Sequence, residues 1–250
     1  MPAAAHPFDA LEDRFALEDS SSSPVTVAIL ELASSAPLPW PMDKVVQKIK
    51  AHLGADSLDR IRIMLTTCMD EVRKHGAELE TLRETMCAEE VASREAALRD
   101  LVLDASRKAE ATRGLERVRR IGMILATSAI ESKAIDADEV EEMMRVAMNL
   151  SDLDVLILKA AILIYDQETT TKSEARNSIS ARVWMAVAHQ TSGISGDELA
   201  SIGAKLQSFG LASRIEGITG DTDSFAVLQR GRRFTQYIGT HVGQHASDAL

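Results

Sequence analysis

Aromatic residues make up only 4% of this 250-residue chain, and there are just two cysteines. Scarce rings beside abundant alanine, leucine, methionine, glutamate and arginine point to helices rather than to strand-rich architecture. Cys68 and Cys87 form no CxxC pair. They cannot build a disulfide framework, so they are read as free buried thiols in a reducing cytoplasm. Long apolar runs are missing too. Residues 25–30 and 155–165 are the longest, well short of the roughly 20 residues that cross a bilayer, and no basic start with an apolar core marks a secretory signal. The expectation is a soluble cytoplasmic protein with no membrane partner.

Recognisable catalytic chemistry is also missing. There is no P-loop, no GxGxxG after a strand, no GxSxG elbow and no HExxH, so no catalytic, cofactor or metal residue is assigned and an enzyme is the least supported class. His241 and His245 have the i, i+4 spacing of a helical metal pair, but Gly239 and Gly243 weaken a helix there and no third ligand is at hand. Residues 241–250 are read as a frayed tail.

Charge is present in excess of one sign: 28 Lys and Arg against 38 Asp and Glu give a formal net charge of −10. That balance opposes general attraction to nucleic acid or anionic lipid. From residue 175 onward the signs nearly cancel, so the acidity belongs to the rest of the chain. Much of it lies in residues 1–40, which carry a serine run and the proline-rich APLPWPM and are expected to be a tail without a packed core. Within this tail, FDALED at residues 8–13 is nearly repeated as FALED at 15–19. Two acidic-aromatic clusters of that kind suit an amphipathic docking segment, although a solvated tail is the plainer reading.

Residues 41–150 read as a helical bundle or coiled-coil region. Leu58, Ile61, Leu65, Cys68, Val72, Leu79, Leu82 and Met86 follow steps of three and four, with His75 as a polar interruption that sets register. As one helix this seam would run about 45 Å. It is expected to pair in an antiparallel hairpin with a helix after Cys87 that buries Val91, Leu98, Leu101, Val102, Ala105 and Ala109, and a homodimer formed elsewhere is the second expectation. A further helix follows Gly114 with Leu115, Val118, Ile121, Gly122, Leu125 and Ala129 inward. Another opens at Asp136 with Val140, Met143, Met144, Ala147 and Leu150 inward. Arg113, Arg117 and Arg120 are spaced to line one basic face, solvated or ion-paired.

The most informative stretch is 195–237. Ser195 with Glu198 is a capping box, and Gly210 closes the helix at C′, where a Schellman motif would fold Leu211 back on Leu206. Residues 211–218 and 224–229 suit short strands, joined by the turn residues Gly217, Gly220, Asp221 and Asp223. Upstream, Ser151 and Asp154 cap a helix over 152–165 that is apolar almost all round and should therefore be buried. Residues 167–178 read as a loop and 179–190 as the next helix. The fold expectation is therefore mainly α: a long helical hairpin or bundle, then a domain over 151–240 with one small β-hairpin.

The phrases LSDLDVLILKA, LQSFGLASRI and FAVLQRGRRFTQYI, in that order and spacing, resemble the corresponding parts of bacterial winged helix-turn-helix regulators. The likeness covers about 90 residues, and the helical region ahead of it is loosely similar to bacterial helical proteins. The resemblance implies that the third helix, over 196–208, presents Ser201, Lys205, Gln207 and Ser208 to a macromolecule, with Arg214, Arg230, Arg232 and Arg233 near phosphate in the DNA-reading members. Asp197, Glu198, Asp221 and Asp223 stand where cations would be needed. A protein partner is therefore expected over duplex DNA, with a DNA-binding transcription regulator as the alternative.

Overall fold

The computed structural model describes residues 55–131, 135–169, 176–191, 193–215 and 224–239. The acidic tail with its FDALED and FALED repeats, the hairpin turn residues Gly217, Gly220, Asp221 and Asp223, and the His241, His245 pair lie outside the described residues. Within them the chain is mainly helical, with one two-stranded antiparallel sheet. Two compact units divide between Met144 and Arg145.

In the N-terminal unit the long seam is two helices, α1 (Ala55–Lys74) and α2 (Gly76–Thr85). The His75 amide bonds the Val72 carbonyl at 3.1 Å, tightening the last turn of α1, and Gly76 then starts a new helix. The unbroken helix expected from the spacing is thus corrected: an apolar rhythm can continue across a residue at which the backbone ladder stops. Ile61, Leu65, Cys68 and Val72 are buried, whereas Leu79 and Met86 are only half-buried.

The partner of the seam also differs from the expected one. α3 (Ala88–Ala111) does bury Leu98, Leu101, Val102, Ala105 and Ala109, but α1 packs foremost on α4 (Leu115–Ile130) and secondarily on α3. The physical reason is Gly122. A Cβ at this position would collide with the Met64 carbonyl and sit 3.1 Å from the Thr67 Cβ, so the missing side chain lets the α1 backbone lie directly on α4. Guanidinium groups close the ends of the hairpin formed by α3 and α4. Arg94 donates to the carbonyls of Ser128 (3.4 Å), Ala129 (2.9 Å) and Glu131 at the end of α4, and Arg60 donates to the Thr112 carbonyl (3.4 Å) at the end of α3. These are carbonyls that no helical amide can satisfy.

Three smaller expectations fail here. Leu115, expected inward, is 50% exposed in the first turn of α4. Arg113, Arg117 and Arg120 do not form one basic face, because Arg113 lies in the loop and Arg120 is buried. Cys87, expected buried, is exposed as the residue preceding α3, and its amide donates to the Glu90 carboxylate at 2.9 Å. That bond holds the Glu90 carboxyl below its usual range.

Cys68 is buried, and burial pushes its thiol up to about 12. Because the neutral form is favoured in the folded state, this contribution to stability is complete below the unfolded thiol's pKa and is lost as pH rises from there toward 12. Native protein is expected to react with a thiol reagent at Cys87 within minutes and at Cys68 only on unfolding. Cys68→Val should flatten the loss of stability above pH 9 relative to wild type, measured by denaturant titration. Equal reactivity of the two thiols in native protein would contradict the packing of α1.

α5 (Ala137–Asn149) opens with the Glu139 amide on the Asp136 carboxylate at 3.1 Å and buries Val140, Met143, Met144 and Ala147. The division between units falls inside it.

The C-terminal unit consists of α6 (Asp152–Thr169), α7 (Arg176–Gln190), α8 (Gly196–Ser208), β1 (Ala212–Arg214), β2 (Phe225–Val227) and α9 (Gln229–Tyr237). Helix extends into both ends of the segment expected to be a loop: α6 runs to Thr169 and α7 starts at Arg176. Contacts to other elements hold these turns, Arg182 to Glu168 at 3.4 Å and Arg232 to Asp166. β1 and β2 pair antiparallel with Ala212 opposite Val227, Ser213 opposite Ala226 and Arg214 opposite Phe225. The strands are shorter than expected, and Gln229 belongs to α9. α6 is not buried all round, since Leu156 and Leu163 are 36% and 60% exposed.

Candidate interaction surface

Both ends of α8 are fixed by local chemistry. Ser195 Oγ accepts from the Glu198 amide at 3.2 Å, satisfying one of the donors left over at a helix start. At the other end Gly210 has φ +67, its amide bonds the Gln207 carbonyl at 2.9 Å, and the Leu211 amide bonds the Leu206 carbonyl at 2.9 Å. This pair of bonds is the Schellman pattern, and the left-handed conformation it needs suits glycine. The chain therefore leaves α8 directly into β1, which fixes the helix against the hairpin.

The inner face of α8 is Leu199, Ile202, Gly203 and Leu206, all buried. A Cβ at Gly203 would penetrate the Phe225 ring. The ring of Phe225 in turn meets Trp184 with centroids 5.2 Å apart and planes at 56°, a tilted arrangement favoured by ring quadrupoles. α8 is thus seated on β2 and, through Phe225, on α7. A second glycine contact closes the unit: a Cβ at Gly231 would strike the Leu211 carbonyl, so α9 depends on bare backbone there.

With its inner face so placed, α8 turns Asp197, Glu198, Ser201, Ala204, Gln207 and Ser208 outward. Lys205 borders this face, its side chain 38% exposed, but its cation is engaged within the unit. Its ammonium reaches Asp154 Oδ2 at 2.5 Å, and Asp154 is only 5% exposed. The same carboxylate accepts the Ser151 amide at 2.6 Å, while the Asp154 amide bonds Ser151 Oγ at 3.2 Å. The capping box of α6 and the cation of α8 therefore share one buried carboxylate. Ser208 Oγ donates to the Lys205 carbonyl at 2.7 Å.

The four arginines are distributed differently from one another. Arg232 makes a two-pronged contact to Asp166, at 2.7 and 3.1 Å, and its guanidinium lies 5.2 Å from the centre of the Tyr165 ring. Arg233 stands 5.6 Å from the Tyr237 ring centre and donates to its hydroxyl at 3.4 Å. Arg214 is exposed at the end of β1, and Arg230 is half-buried at the start of α9. Ser201, Gln207 and Ser208 thus share one outward face, whereas Lys205, Arg232 and Arg233 point into contacts of the unit itself. The sequence reading missed Asp154 and Asp166 as their partners, because neither carries a local signal for a residue 51 or 66 positions away.

Among the described residues no group of three or more His, Cys, Asp or Glu could hold a metal ion, and no helix is long and apolar enough to cross a membrane. No family model, curated protein or solved structure matches the chain.

Proposed function

We propose that this chain is a non-catalytic interaction or regulatory protein of bacterial cytoplasmic type, whose C-terminal unit is a winged-helix-like module that binds a protein partner through the outer face of α8. The observation that carries the reading is the 2.5 Å contact between Lys205 and buried Asp154. In a DNA-reading module the cation on this helix would face phosphate, and phosphate neutralisation supplies most of the affinity. Here it is held by an internal carboxylate, and Arg232 pairs at the surface with Asp166. What faces outward is a pair of carboxylates at the start of α8, then small and uncharged side chains. Such a surface suits close approach of another protein and repels a polyanion. The rival reading, a DNA-binding transcription regulator, is favoured by Arg214, exposed at the end of β1.

Selection of the full chain against random-sequence duplex DNA distinguishes the two. No site is expected to enrich, and duplex affinity near physiological salt should be weaker than about 1 μM, against the roughly nanomolar range of specific regulators. A defined enriched site, lost when Ser201 and Gln207 are changed to alanine, would overturn the proposal. For the protein-binding reading, Ser201→Arg with Ala204→Arg should release a protein captured by wild type while raising the salt-dependent affinity for DNA, since two cations are added to the outer face.

A further inference from the structure

We propose that one end of the N-terminal unit is the docking surface for this chain's own acidic-aromatic segment, residues 8–19. This end comprises the last turn of α3, the loop at 112–114 and the first turn of α4. The inference stands apart from the outer face of α8 and does not rest on it.

The surface is built from charge and one misplaced apolar side chain. Between residues 104 and 120 the sequence holds six cations and three carboxylates, in a chain whose formal net charge is −10. Two of these cations are consumed locally, Lys108 by Asp104 and Arg119 by Glu116, and Arg120 is buried. Arg107 and Arg113 are exposed and take part in no ion pair among the described residues. Arg107 lies about one helical turn from the end of α3, and Arg113 stands in the loop two residues before Leu115, so all three belong to this end of the unit. Leu115 is 50% exposed although it occupies a position that helical periodicity assigns to the core. An exposed leucine at an end that also carries two exposed arginines calls for an occupant that combines an apolar ring with carboxylates.

The chain supplies that occupant twice. Phe8 is followed by Asp9, Glu12 and Asp13, and Phe15 by Glu18 and Asp19. One phenylalanine placed on Leu115 brings carboxylates within reach of Arg107 and Arg113. Position in the fold selects this segment over an acidic peptide from elsewhere. Arg60 donates to the Thr112 carbonyl, so α1 begins at the same end of the unit, and the described chain starts at Ala55, five residues before Arg60. The 35 residues between Asp19 and Ala55 can span at most about 3.3–3.6 Å each, which is ample reach. Tethering at this point brings the segment to an effective concentration of about millimolar, enough for a handful of exposed contacts to suffice.

The test uses the full chain with p-benzoylphenylalanine in place of Phe15. On irradiation the expected product is a cross-link within one chain to residues near Arg107, Arg113 or Leu115, located by peptide mass analysis. Arg107→Glu with Arg113→Glu should lower its yield by about fivefold, as should raising salt to about 0.5 M. Both arginines are exposed, so the charge-reversed chain should melt as wild type does, which separates loss of docking from loss of fold. Cross-links elsewhere, no cross-link, or a yield indifferent to charge reversal would overturn the proposal. A cross-linked dimer that grows with protein concentration would also overturn it, transferring the surface to a second copy.

Discussion

Leu65→Asp combined with Val72→Asp is expected to unfold the N-terminal unit outright. Both side chains are 4% exposed on α1, on the face that packs against α3 and α4. An unpaired carboxylate in such a place costs several kcal/mol, through either desolvation or the protonation it forces. Two together rival the roughly 5–15 kcal/mol that stabilises a typical domain. Leu65→Ala alone, which leaves a cavity but no charge, should cost about 2–5 kcal/mol and keep a cooperative transition. Circular dichroism with denaturant titration separates these outcomes. A double variant that stays folded and sediments as a monomer would mean that the seam faces a second chain instead of an internal helix.

Much of the fold was legible because its signals are local. Ser195 and Gly210 bracket α8 through bonds within a few residues, and the Ser151, Asp154 pair marks the start of α6 in the same way. The strand residues around 211–229 likewise place a hairpin where β1 and β2 are found, although each strand is only three residues long. What was illegible depends on neighbours far along the chain. Nothing in the sequence near Gly122 says that its bare Cα will receive the Met64 carbonyl, yet this choice makes α4 the main partner of α1. The seam misled for a related reason: spacing reports which side chains share a face, while the break at His75 is a property of the backbone.

The candidate surface divides along the same line. Ser201, Gln207 and Ser208 could be placed outward from helical phase alone. Lys205 lies on the same helix and would count as a contact by the same reasoning, until the fold brings Asp154 beneath it. Arg232 was similarly legible as a cation and illegible as the partner of Asp166 and Tyr165. Sequence thus locates charge well, but whether a charge is available to a ligand is decided by tertiary pairing. Between the protein-binding reading proposed above and its DNA-binding rival, the number of available cations is what discriminates.

Trp184→Ala is expected to be the most damaging single truncation in the C-terminal unit, at about 3–5 kcal/mol. The side chain is 1% exposed and joins α7 to β2 through the Phe225 ring. Removing it leaves a large cavity beneath the strand on which α8 is seated, because the Gly203 contact gives Phe225 no room to move toward that helix. Trp184→Phe should be far milder. The indole Nε1 makes no hydrogen bond among the described residues, so its removal forfeits no partner and relieves a buried donor, offsetting part of the lost volume. Denaturant titration followed by circular dichroism should order the three proteins as wild type, then Trp184→Phe, then Trp184→Ala, with the larger gap between the last two. If Trp184→Phe were as damaging as Trp184→Ala, the indole nitrogen would be bonded in solution and the account of this core would fail. If both were neutral, α7 would not pack on β2, and the inner support assigned to the α8 surface would be lost with it.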